Sequence, residues 1–150
     1  MKRINCLVQA HQFSKAQIKA IEAGFKALYH QHYRAEKLQV FWMIFPEGNA
    51  FSERKASNGI IILIEVDNDI SKEKREELMS VYSQFLFTNY QVSPLDTVIT
   101  VANTPWVDDF FAAQKQRIHP SSRTWITLRT LFTAFSSKLA NGFLRLRIKY

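Results

Sequence analysis

At 150 residues, with 47% hydrophobic and 22% charged content, the chain is long enough for one domain with its own core and too apolar to be disordered. A single cysteine, Cys6, excludes an internal disulfide or a multi-cysteine metal knuckle and suits a reducing, cytoplasmic setting. Charge is lopsided: residues 1–103 hold 12 basic and 11 acidic side chains, whereas residues 104–150 hold 8 and 2. The opening MKRINCLVQAHQF lacks the apolar run of a signal peptide. No stretch reaches the roughly 18 apolar residues of a membrane span, so a soluble protein without one is expected.

RINCLVQA alternates Ile4, Cys6 and Val8 against Asn5 and Gln9, the pattern of a strand with one drier face. A helix follows, capped by Ser14 with Gln17 three residues on and stapled by Phe13 against Ile18. Ile18, Ile21, Phe25, Leu28 and His32 fall on one stripe, and the helix is expected to end near Tyr33 or Arg34. LQVFWMIF at 38–45 is apolar almost throughout, as in a central strand covered on both faces. The connection at 46–58 is long enough to serve a ligand or reach a neighbouring subunit with Phe51 as anchor.

The order then repeats 57 residues later: a strand at 59–66, a helix opened by Ser71, and a strand at 96–102. Under that shift Ser14, Lys15, Tyr33 and Leu38 meet identical residues at Ser71, Lys72, Tyr90 and Leu95, while Ile21, Phe25 and Leu28 meet Leu78, Tyr82 and Phe85. Two tandem βαβ units with right-handed crossovers place both helices on one face of a four-stranded sheet. The chain is thus read as a single α/β (α+β) domain: a first unit at 1–57, a second at 58–103, and a basic C-terminal extension at 104–150.

This arrangement leaves one sheet face bare, although Phe41, Met43 and Phe45 alternate with Val40, Trp42 and Ile44 and so make both faces of that strand apolar. Burying each such side chain stabilises by about 1.5 to 3 kcal/mol, so a cover is required. Residues 122–141 read as a helix with Trp125, Leu128, Phe132, Phe135 and Leu139 on one stripe and Gly142 at its end; the stripe caps either its own sheet or another copy. FLRLRIKY then alternates Leu144, Leu146 and Ile148 with Arg145, Arg147 and Lys149, a short strand whose basic face also guards a sheet edge.

The repeat, VSPLDTVITV at 92–101 and Trp106 after it resemble the tautomerase superfamily, especially members with two fused βαβ units in one chain. The resemblance covers roughly residues 2–107. It implies a homotrimer whose sheets face inward, which would cover the bare face, and proton transfer by an N-terminal proline on a small keto or unsaturated acid. This chain departs from that pattern: it begins Met1-Lys2-Arg3, and the bulky lysine is expected to keep Met1 in place. The family's carboxylate-holding arginines before the second helix are replaced by Asn68, Asp69 and Ile70. The expectation is a tautomerase-like protein whose proline-dependent chemistry is absent or altered. A catalytic version would use the Met1 α-amine as base, with Lys2, Arg3, Arg54 and Lys55 as substrate-binding cations and a phenylpyruvate-like keto–enol acid as substrate.

A second reading is a non-catalytic binding or scaffold protein that meets an anionic partner through Arg123, Arg129, Arg145, Arg147 and Lys149; two aromatics alone, Phe143 and Tyr150, argue against nucleic acid. Two βαβ units also fit a ferredoxin-like domain, which would dimerise. No cofactor is expected. His30 and His32, two apart on a helix, diverge and make no chelate with His11, and a helix C-terminus accounts for them. Asp108 and Asp109 are read as acids favouring the start of a short helix.

Overall fold

A computed structural model of the chain describes residues 1–34, 36–47, 51–52, 55–56 and 58–146, with residues 51, 52, 55, 56 and 114 described by backbone alone. Strand β1 (Lys2–Gln9) leads into helix α1 (Lys15–His32), strand β2 (Leu38–Phe45) and a small hairpin of β3 (Phe51–Ser52) and β4 (Lys55–Ala56). The second unit runs β5 (Ile60–Val66), α2 (Lys72–Tyr90), a 3-10 turn (Pro94–Asp96) and β6 (Thr97–Asn103). Helices α3 (Thr104–Gln116) and α4 (Pro120–Asn141) and strand β7 (Leu144–Leu146) complete the chain. The hairpin lies where the sequence suggested only a connection.

The helix signals work as their chemistry requires. Ser14 and Gln17 form a reciprocal capping box on α1, whereas Ser71 caps α2 through Lys74 N alone. From α1, Ile18, Ile21, Phe25 and Tyr29 are buried, and from α2, Leu78, Tyr82 and Leu86. They pack on Ile4, Cys6, Val8, Val40, Trp42, Ile60, Ile62, Ile64 and Val66, which form one face of the sheet and a single core. The helices approach closely at Gly24, where a Cβ would strike the Phe85 ring.

The sheet has five strands in the order β6-β5-β1-β2-β7, because β7 adds in parallel beside β2 and extends the four-stranded arrangement. β1–β2 and β5–β6 are parallel, and β1–β5 is antiparallel. Ile4 pairs with Ile64 and Cys6 with Ile62, so the halves are related by a pseudo-twofold passing through the Asn5–Leu63 pair. That symmetry corrects the single shift read from the sequence. Helix residues do match at 57, as Lys15 and Lys72 show, but Ile4 matches Ile62 at 58 and Val40 matches Ile99 at 59. A shift of 57 would carry core-facing Ile4 onto outward-facing Ile61, so the second unit's strand-to-helix loop is one residue shorter and its helix-to-strand loop two longer, and Leu38 corresponds to Thr97 rather than Leu95.

The opposite face carries Leu7, Phe41, Met43 and Leu63, all partly exposed, with Ile61 and Val98 more open still. Helix α3 covers one end of it through buried Val107. Helix α4 does not roof the rest. Its buried residues are Ala134 and Ser137, and Ser137 Oγ donates to Phe143 O and accepts from Arg145 N, which anchors the helix to β7.

Candidate functional site

The head of β1 meets the end of α1, the end of β5 and the start of α3, and charged side chains converge there from all four. Lys2 Nζ donates to Asp67 and, at 2.5 Å, to Thr104 Oγ1, and its side chain is almost wholly covered. Asp67 also accepts from Tyr33 Oη at 2.7 Å and Arg34 Nη1 at 2.9 Å. The hydrogen bonds from Lys2 and then Tyr33 hold the Asp67 carboxyl below its ordinary value of 3.8. Arg34 further reaches Asp69 at 3.7 Å.

On the other side of the sheet, Arg3 grips Glu65 with two nitrogens, Nε at 2.6 Å and Nη2 at 3.0 Å, and its backbone N–H donates to the same carboxylate at 3.1 Å. Arg3 Nη2 also meets Asp108 at 2.5 Å. These acceptors, Glu65 first, raise the guanidinium's pKa further. Asp108 lies past the first turn of α3, so its role is to hold Arg3 rather than to favour a helix start. The Met1 amine lies 4.0 Å from Glu36.

Of the cations expected to hold substrate, then, Lys2 and Arg3 lie on opposite sides of the sheet at the head of β1, and each is already engaged by carboxylates. Lys55 sits on β4, with its side chain outside the description, and Arg54 lies outside the described residues. The alternative anion-binding set is dispersed. Arg123 donates to the Ile118 and Gln116 carbonyls and ties α3 to α4, Arg129 lies 4.9 Å from the Trp125 ring centre, and Arg145 is exposed on β7. Arg147 and Lys149 lie outside the described residues. The histidines separate: His30 Nε2 meets the Glu36 carbonyl at 3.0 Å, and His32 Nδ1 meets Glu77 at 2.8 Å.

Sequence reasoning missed Arg75. One turn into α2, it lies over the outer edge of β6, where Nη1 donates to Val101 O at 3.1 Å and Nη2 to Asn103 Oδ1 at 2.5 Å. Among the described residues it pairs with no carboxylate. It lines a cavity of about 310 Å³ together with Thr100, Val101, Ala102, Asn103 and Trp106. The available signal was the Ser71 cap, which fixes Arg75 on the first turn of α2; that this turn faces the β6 edge is visible only in three dimensions. Asn103 and Thr104 are adjacent in the chain, so the cavity adjoins the Lys2 corner. A guanidinium beside an indole is suited to a small carboxylate with a hydrophobic body.

No protein-family model matches the chain, and no characterised protein matches it by sequence. The fold does match solved structures. A protein described as N1, a member of the cis-3-chloroacrylic acid dehalogenase family, superposes with a TM-score of 0.64 at 11% identity over 83% of this chain and 98% of that one. Native fused 4-OT superposes with a TM-score of 0.60 at 11% identity over 67% and 85%. A fused 4-OT described as a symmetric trimer gives a TM-score of 0.60 at 9% identity over 67% and 84%. The chain therefore shares the fold of these structures, a tandem βαβ sheet with both βαβ helices on one face.

Proposed function

We propose that this chain forms a homotrimer and takes a small keto or unsaturated carboxylic acid in the cavity beside Arg75, with proline-dependent proton transfer replaced. The observation that carries the reading is Arg75: its guanidinium borders an indole-lined hollow, and among the described residues no acid pairs with it. Lys2 and Arg3, by contrast, have become structural, because Glu65, Asp67 and Asp108 match their charge. The Met1 amine, 4.0 Å from Glu36 at the head of β1, is the group assigned to proton transfer in this reading. Trimer formation is supported by the uncovered sheet face, where a neighbouring sheet would bury Leu7, Phe41, Met43 and Leu63.

The test is titration with phenylpyruvate, followed by ketonisation in the ultraviolet. Saturable binding that Arg75→Gln weakens by 10-fold or more supports the site. Equal binding by wild type and Arg75→Gln removes it. Intact mass spectrometry identifies the terminal residue, and turnover that survives reductive methylation of that amine rules out its role as base.

A further inference from the structure

The apolar stripe of α4 points away from the molecule that bears it. Ala134 and Ser137 face the body, and a two-residue step turns the helix by about 200°, so Phe132, Phe135 and Leu139 project from the opposite side. Phe132 is 76% exposed, Leu128 62% and Trp125 60%, and every residue from 124 to 132 is exposed. A helix this bare is held by its C-terminal turns and by Arg123 at its start, whereas tertiary packing of an apolar face is what ordinarily stabilises a helix in a protein. Trp125, Leu128, Leu131, Phe132, Phe135 and Leu139 leave on the order of 800 Å² uncovered, the share one partner contributes to an interface of standard size.

The same chain has a receiving surface at its other edge. Ile61 and Val98, paired side by side on β5 and β6, are 45% and 55% exposed on the sheet face that α1 and α2 leave uncovered. Helix α4 is tied to β7, and β7 and β6 are the two outer strands of the sheet. Donor and receiver therefore sit at opposite edges, and α4's outward aim keeps them from meeting within one chain.

We propose that α4 is an arm that docks on the Ile61–Val98 face of the next copy, in head-to-tail contacts that close a ring. This deepens the trimer reading and rests on it. Val98, Thr100 and Ala102 share the receiving face and run into the Arg75 cavity, so the arm of one copy walls the open side of its neighbour's cavity.

Native mass spectrometry of the full chain and of Phe132→Glu and Ile61→Glu tests this, with circular dichroism to check folding. Phe132 is largely bare in the single chain, so its charge variant folds without a partner, and Leu128→Lys provides a second, independent variant. The expected result is a trimeric parent, monomeric Phe132→Glu and Ile61→Glu, and a heterodimer on mixing the two, because one keeps a sound receiver and the other a sound arm. A trimeric parent with a trimeric Phe132→Glu overturns the arm and leaves the trimer standing. A monomeric or twofold parent overturns both, and a Trp125 fluorescence shift on vesicles of anionic phospholipid in that monomer would assign the stripe to a lipid surface instead.

Discussion

Glu65 is the most exposed to consequence of any single side chain near the β1 head, because it is 1% accessible and depends on Arg3 for its charge balance. Removing one partner of such a pair strands the other, so Arg3→Ala is expected to cost about 3 kcal/mol, read from the urea midpoint of unfolding. Asp67 sets a pH dependence of opposite visibility. Its folded pKa is depressed by Lys2 and Tyr33, so the unfolded chain binds protons more readily and the network's stabilisation is complete only above the unfolded value. Thermal stability should therefore fall as pH drops from about 5 towards 3, and Asp67→Asn should flatten that slope. None of these partnerships is legible in sequence: Lys2 and Asp67 are 65 positions apart, Arg3 and Glu65 62, and local pattern carries no information over such distances. Met1, Lys2 and Arg3 entered as candidates by resemblance alone, while the carboxylates that engage Lys2 and Arg3 and the position of Arg75 over β6 needed the folded strands.

Elements were the most readable level, because caps and apolar stripes are local. Both main helices start where Ser14 and Ser71 place them, and the first part of each stripe is buried as expected, but towards the C-terminal end Tyr29 is buried in place of Leu28 and His32, and Leu86 in place of Phe85. The two caps differ in strength, since Ser14 belongs to a reciprocal box and Ser71 does not. Ser14→Ala should cost about 1 kcal/mol and Ser71→Ala less, by denaturant titration. Gly24→Ala tests helix contact against helix propensity. The Phe85 ring is held between Phe25 and Tyr90, at 5.8 and 5.7 Å, so it cannot yield to a new methyl, and a net loss of about 1 kcal/mol is expected despite alanine's preference for helices. Strand register was the harder part. A strand repeats every two residues, so a repeat measured on helices is one residue out for β1 and β5, which reverses the face, and two out for β2 and β6, which keeps the face but shifts the equivalent residue.

For the whole molecule, the fold leaves part of one sheet face and the apolar stripe of α4 exposed; among the described residues no helix is long and apolar enough to cross a membrane. The pseudo-twofold has its own bearing on how the halves can differ. Phe25 faces Tyr82 at 4.8 Å on the axis, and the Tyr82 hydroxyl donates to the Phe25 carbonyl at 2.8 Å without any return bond. Two separate, identical polypeptides obeying true symmetry would have to set like against like both there and where Asn5 now faces Leu63. Joining the halves covalently lifts that obligation at the seam itself, so the centre of the molecule, usually the least negotiable place in a mirrored design, is free to be lopsided.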